Sequence, residues 1–296
     1  MPWLQLLIEV SKPHADAVVT TLEQHGALSV TLADAADEPQ LEPGPGETPL
    51  WSRVKLTALF ETGEETEQRV GELARALAAQ ALAEPRIERL ADQVWERVWL
   101  ETFKPTRFGR RLWVCPHGQR PDDSSADEAD VILALDPGLA FGTGHHPTTA
   151  LCLEWLDGQD LTGQTLLDFG CGSGILAIAA LRLGATRAIA IDHDPQALEA
   201  TIENARANGV ADRLDIQAAD TQLISQVDVV VANILAGPLI ALAPRLTAAL
   251  RPGGALALSG VLAEQVESVS AAYAGRIALA PVRLREDWAL ISGTRR

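Results

Sequence analysis

"TLLDFGCGSGILAIAALRLG", residues 165–184, joins an apolar run to a loop with glycines at 170, 172 and 174, and then to an Ala-rich helical stretch. Glycine tolerates positive φ and lets a ligand approach the backbone closely. Strand, glycine loop and helix in that order mark a nucleotide-type site in an α/β sheet. The dinucleotide fingerprint spaces its glycines G-x-G-x-x-G around a pyrophosphate. Here the spacing is G-x-G-x-G, and Ile175 holds the third dinucleotide position. Asp168 stands two residues before Gly170. A carboxylate there repels a pyrophosphate and favours a positively charged ligand. S-adenosyl-L-methionine carries a sulfonium and an ammonium and no phosphate.

Two further stretches extend that reading. In "AIAIDHDP" (188–195), Asp192 ends the next apolar run, 22 residues after Gly170, where an acid can bind both ribose hydroxyls. Asp194 and Pro195 then read as the cap and first turn of a helix. In "DVVVANILAG" (228–237), Val229 to Ala232 run straight into Asn233. A run of that kind is a strand buried on both faces. Counted from the glycine loop it is the fourth strand, so its carboxyl end lies beside the first strand's end, at the switch point where such sheets bind ligands. A turn-forming Asn is the plain alternative.

From 161 onward strand and helix alternate. Strands are expected at 165–169, 187–192, 214–218, 228–232, 254–260, 276–281 and 287–293, and helices at 174–183, 195–208, 237–250 and 261–273. The stretch after 274 has no helix, so the last two strands should pair antiparallel. The fold expected is a mostly parallel sheet covered on both faces. Residues 111–116 and 130–138 read as strands around an acidic loop, 120–129. Residues 92–105 place Trp95, Val98, Trp99 and Phe103 at helical spacing, a connecting helix whose aromatic stripe packs on its neighbours. The first 92 residues read β (3–10), α (13–26), β (27–34), β (53–60), α (64–83), β (86–92), with a Pro-, Gly- and acid-rich loop at 34–50. That βαββαβ order is the ferredoxin-like pattern. It shows no chemical constellation, and its natural use is recognition.

The 296 residues carry a net charge of −16, and the only lysines are Lys12, Lys55 and Lys104. Residues 1–92 hold 16 acids against 7 bases, so the first third is the more acidic by length. A nucleic-acid partner needs a basic footprint and is disfavoured. The balance would suit a basic protein partner by electrostatic steering, but plain solubility is the reading that charge alone favours. No stretch approaches a membrane span of ~20 apolar residues. The start, "MPWLQLLIEV", lacks a basic n-region and carries Glu9, which makes it a poor signal peptide. Cys115, Cys152 and Cys171 fit neither a disulfide framework nor a zinc site. A reduced cytoplasm is expected. His145 and His146 lack a third ligand nearby in sequence, so no metal is expected, and loop packing with backbone hydrogen bonding is the expectation for them. Cys171 lacks a basic partner and reads as a small apolar wall residue.

Three segments carry a family resemblance: "DPGLAFGTGHHPTTALCLEWL" (136–156), "LLDFGCGSGILAIAALRLGA" (166–185) and "DVVVANILAGPL" (228–239). With "WERVWLETFKPTRFG" (95–109), the whole chain resembles the bacterial ribosomal protein L-eleven methyltransferase family. The "FGTGHHPTT" motif is highly specific, whereas many methyltransferases share the glycine loop. The resemblance implies a class I S-adenosylmethionine-dependent methyltransferase domain (Rossmann-like) at 109–296, a linker helix at 93–108 and an N-terminal α+β ferredoxin-like substrate-recognition domain at 1–92. It implies trimethylation of lysine and N-terminal amino groups of that basic large-subunit protein by a cytoplasmic monomer. Donor-binding positions carry over onto Thr149, Gly170, Asp192 and Asn233. Phe141, Gly142 and Thr143 become wall and lid of the donor pocket, joined by Asp168 and Gly172 from the glycine loop. Related amino-methyltransferases carry Asn-Pro-Pro-aromatic. Here Ile234, Leu235 and Ala236 follow Asn233, which removes the aromatic clamp of a glutamine-methylating enzyme.

Methyl transfer to an amine needs in-line positioning, worth up to ~7–11 kcal/mol, and a neutral nitrogen. A free lysine, with a pKa of ~10.4, is mostly protonated at neutral pH. An apolar pocket beside a sulfonium lowers that pKa. The Asn233 carbonyl can accept from the amine and aim its lone pair, where a carboxylate would stabilise the ammonium instead. The alternatives are a methyltransferase acting on another protein or a small amine, a donor-binding module without catalysis, and an NAD-binding oxidoreductase.

Overall fold

In the computed structural model, the described residues are 3–38, 49–90, 104–116, 119–121, 129–135, 146–219 and 226–296. The chain forms two compact units, Met1–Trp99 and Leu100–Arg296. The aromatic stripe expected at 92–105 lies almost wholly outside the described residues, as do most of the loops at 34–50 and 120–129.

The first unit runs β1 (Trp3–Ser11), α1 (Lys12–Gln24), β2 (Ser29–Asp34), β3 (Arg53–Glu61), α2 (Glu64–Leu77), β4 (Arg86–Leu90). Its sheet order is β2-β3-β1-β4, and all pairings are antiparallel. Alternation in β1 buries Leu4, Leu6, Ile8 and Val10 on one face, against Val18 and Leu22 of α1 and Val70, Leu73 and Leu77 of α2. This is the ferredoxin-like arrangement. The second helix stops at Leu77, short of the expected 83, because Ala78–Gln80 tighten into a 3₁₀ turn and Ala81 bridges to Val10.

In the second unit a small sheet comes first. Its strands are β5 (Thr106–Phe108), β6 (Leu112–Cys115) and β7 (Val131–Ala134), with β5 antiparallel and β7 parallel to β6. The linker helix expected over 93–108 therefore does not extend to its end: 106–108 are strand. Pro105 disfavours helical backbone at Lys104, and Phe108 is buried in the core.

The main sheet has eight strands: β8 (Thr165–Phe169), β9 (Arg187–Asp192), β10 (Leu214–Ala218), β11 (Val227–Asn233), β12 (Leu250–Leu262), β13 (Ile277–Leu279), β14 (Arg283–Arg285) and β15 (Trp288–Arg295). Its order is β10-β9-β8-β11-β12-β15-β13, with β14 also on β15. The first five strands are parallel, and β15 is antiparallel to β12 and to β13, as expected for the chain's end. The chain steps outward from β8 through β9 to β10, then returns to place β11 on the other side of β8. The switch point lies between β8 and β11, where Asp168 pairs with Val231 and Phe169 with Ala232.

The apolar runs divide between two cores. Leu166, Ala188, Val229 and Val231 face α3 (Pro147–Asp157) and α4 (Ile175–Arg182). Leu167, Ile189, Val230 and Ala232 face α6 (Ala236–Ala249) and α7 (Val266–Tyr273). The helix between them in sequence, α5 (Pro195–Ala207), packs beside β9. Burial on both faces is why these strands read as continuous rather than alternating.

Candidate functional site

The glycine loop takes the backbone that its composition anticipates. Gly170, Gly172 and Gly174 have φ of 80°, 55° and 78°. The Gly170 and Cys171 N–H groups both donate to the Ile191 carbonyl, at 2.7 and 3.0 Å. A Cβ on Gly170 would overlap the Ile234 side chain, and one on Gly260 (φ 82°) would overlap the Ile234 carbonyl. The residue after Asn233 is thus held between two glycines from neighbouring strands. Gly260 carried no signal in sequence, because its partner lies 26 residues away along the chain.

At the carboxyl end of β9, the Asp192 carboxylate accepts from three backbone N–H groups: Gly172 at 2.9 Å, His193 at 2.7 Å and Asp194 at 3.0 Å. That ties the loop to the acid. Asp194 accepts from Gln196 N–H and caps α5, with Pro195 in the first turn, as the sequence implied.

Asp168 is fully buried at the base of the loop. One oxygen accepts from Ala177 N–H at 3.1 Å, which caps the first turn of α4. The other has no partner among the described residues. Burial raises its pKa to about 7, with the neighbouring Asp192 charge adding to the shift.

A cleft of about 580 Å³ opens over the carboxyl ends of β8, β9 and β11. That is a small-molecule volume. Its walls include Gly170, Asp192 and Asn233, joined by Phe169, Ile234, Leu235 and Trp288. Arg245 from α6 lies 5.0 Å from the Phe169 ring centroid and donates to the Ala219 carbonyl at 2.7 Å. His146 meets Trp288 edge-on, with centroids 4.9 Å apart. Phe169, Ile234 and Leu235 adjoin motifs visible in the sequence, whereas Arg245 and Trp288 gave no sequence signal and come in on α6 and β15 from distant parts of the chain.

The expected site residues separate into three sets. Gly170, Asp192 and Asn233 line the cleft. Asp168, Gly172 and Thr149 stand behind its wall. Thr149 is buried and accepts from the Asn233 side-chain NH₂ at 3.2 Å. With its amide nitrogen engaged there, the carbonyl oxygen is the side-chain group of Asn233 left to accept from a ligand in the cleft it lines. Phe141, Gly142 and Thr143 lie outside the described residues, as does His145. His146 caps α3 by accepting from Thr148 N–H, the backbone role expected for it. Cys171 faces the core rather than the wall, 3.5 Å from the Thr201 hydroxyl, and burial pushes its thiol pKa far up. Among the described residues, no cluster of three His, Cys, Asp or Glu could hold a metal.

These residues fit a cationic adenosine ligand. The Gly170 position is bare where a Cβ would collide, an acid ends β9, and a buried carboxylate oxygen at the loop's base lacks a partner among the described residues. The walls are otherwise largely apolar, and a pyrophosphate would find a carboxylate beneath it.

The comparisons agree with the geometry. A family model described as ribosomal protein L11 methyltransferase (PrmA) matches residues 2–296. Proteins named ribosomal protein L11 methyltransferase from Pseudomonas aeruginosa (strain LESB58) and Azotobacter vinelandii (strain DJ / ATCC BAA-1303) are 54% and 53% identical. Both alignments cover 100% of this chain, and they cover 99% and 100% of those proteins. A crystal structure of ribosomal protein L11 methylase from Lactobacillus delbrueckii subsp. bulgaricus is 31% identical, with a TM-score of 0.58 over 66% of this chain and 100% of that one. Glycine loop, switch-point asparagine and full-length similarity agree, and the chain belongs to the ribosomal protein L11 methyltransferase family of class I S-adenosylmethionine-dependent methyltransferases.

Proposed function

We propose that this protein transfers methyl groups from S-adenosyl-L-methionine to lysine and N-terminal amino groups of ribosomal protein L11, to the trimethyl state. The observation that carries the reading is the Asn233 amide, anchored by Thr149 and presenting a neutral acceptor oxygen at the switch point. The donor, when bound, supplies a methyl group on an already activated sulfur. The rest falls to the chain's own residues. Gly170 admits the ligand against the backbone. Asp192, held by three N–H groups, accepts the ribose hydroxyls. Apolar walls at Ile234, Leu235 and Trp288 exclude water and lower the pKa of an entering lysine. The Asn233 oxygen accepts an N–H of the neutral amine and points its lone pair in line.

Residues 1–92 serve as the substrate-recognition domain, and 109–296 carry out the transfer. The acidic balance of the first domain suits a basic ribosomal protein. The enzyme acts as a cytoplasmic monomer. Among the described residues no helix is long and apolar enough to cross a membrane. The test is incubation of the purified protein with labelled donor and a set of purified ribosomal proteins. Label is expected on L11, and mass spectrometry should find trimethylated amines. Label on another protein moves the substrate assignment, and a product that stops at one methyl group removes the trimethylation.

A further inference from the structure

We propose that the Thr148 hydroxyl and the His146 imidazole form the proton relay that makes the acceptor amine neutral. The inference rests on the methylation reading above and deepens it. An apolar pocket favours the neutral amine, but the proton it sheds needs a destination. Among the described residues, the titratable groups lining the cleft are His146, Asp192, His193 and Arg245. Asp192 is committed to three backbone N–H groups, with His193 Nδ1 3.2 Å from its carboxylate. The His193 side chain is 90% exposed. Arg245 presents a guanidinium, which donates but has no acceptor atom to serve as a base. His146 lies against Trp288, and both line the cleft together with Asn233 and Thr148.

The hydrogen bonds fix the direction of transfer. Thr148 backbone N–H can only donate, and it points to His146 Nδ1 at 3.4 Å. That nitrogen therefore carries its lone pair, and the ring proton sits on Nε2. The Thr148 hydroxyl, 2.7 Å from the same Nδ1, must then donate to it. Among the described residues nothing donates to Oγ1, so its lone pairs can accept an N–H of an entering ammonium. The ammonium proton passes to Thr148 Oγ1 as the hydroxyl proton passes to His146 Nδ1. The nitrogen is left neutral with its lone pair, and the ring becomes an imidazolium that returns a proton to solvent. The relay acts once per methyl group, because each methylation of an incoming ammonium releases one proton.

An acceptor that needs no deprotonation tests this. One arm uses an amine acceptor that the wild-type enzyme methylates. The other uses the same acceptor bearing an alkoxyamine, whose nitrogen is neutral at pH 7. His146→Gln keeps an oxygen able to cap Thr148 N–H. It should lose roughly 100-fold in kcat on the amine, within the usual range for general-base removal, and change by less than about threefold on the alkoxyamine. Thr148→Val should match it, and Thr148→Ser, which keeps the hydroxyl, should restore most of the rate. Equal losses on both acceptors would reduce the pair to a structural role and overturn the relay, as would full activity of His146→Gln on the amine. Binding of S-adenosylhomocysteine to each variant reports an intact donor cleft. Should the wild type methylate neither acceptor nor any ribosomal amine, the methylation reading fails rather than the relay alone.

Discussion

Asn233 is an amide directly after the apolar run Val229 to Ala232, and under the proposed function its value lies in having no charge. Its NH₂ is engaged by Thr149, so its orientation is built into the wall rather than induced by substrate. Asn233→Ala should cost about 100-fold or more in kcat, the scale of a misplaced near-attack geometry, while S-adenosylhomocysteine affinity changes little. Calorimetry beside steady-state kinetics separates the two, and an unchanged kcat would remove the role. Thr149→Val should produce a smaller loss of the same kind, about tenfold, with Thr149→Ser close to wild type, because its action passes through Asn233. Asp168 makes a prediction about stability. Its pKa in the folded chain, about 7, lies above the ordinary 3.8. Its contribution is therefore fully present below the ordinary value and is lost as pH rises through 7. The protein without donor should lose Tm from pH 5 to 8.5 relative to Asp168→Asn, on the order of a few kcal/mol in stability. Thermal unfolding of both chains across that range checks it, and a constant gap would exclude Asp168 as the cause.

At the scale of elements, the turn after β11 depends on how closely β12 approaches it. Gly260 and Gly253 both adopt left-handed φ, 82° and 78°. A Cβ at Gly260 would strike the Ile234 backbone, whereas at Gly253 it would meet nothing within 4 Å. Gly253→Ala should therefore cost only the conformational penalty, about 1–2 kcal/mol, with kcat unchanged. Gly260→Ala should cost more and should depress kcat, because the displaced Ile234 carries Asn233 with it. Urea unfolding and single-turnover rates distinguish the pair, and equal behaviour would show that the close approach is relaxed without cost. The start of α5 was legible for a local reason: Asp194 and Pro195 form its entry within three residues. The helix α3, entered through His146 and Pro147, was not among the helices expected from the sequence. Helix ends and the strand at 106–108 were less legible, since a 3₁₀ turn or a ladder partner decides them.

Across the whole molecule the chain carries a net charge of −16, with its excess of acids greatest by length in the first 92 residues, and under the proposed function that balance suits a basic partner. Steering of that kind weakens as the Debye length falls from ~30 Å at 0.01 M to ~3 Å at 1 M salt. The KM for ribosomal protein L11 should rise steeply with salt, while affinity for S-adenosylhomocysteine, set by buried contacts, should barely change. A flat KM would detach substrate capture from net charge. Sequence alone determined the two-part architecture, the parallel sheet and the donor class, because apolar period, glycine spacing and a nearby acid are local signals that each element carries within itself. It also placed Gly170, Asp192 and Asn233 at strand ends facing one another. What only the tertiary structure decided is which groups face the cleft and which stand behind it. Thr149 and Asp168 sit near the site in sequence and in space, yet one anchors an amide and the other caps a helix from the buried side. Trp288, Gly260 and Arg245 join the site from β15, β12 and α6 because sheet order and helix packing bring them there, and no local pattern encodes a neighbour that distant in the chain.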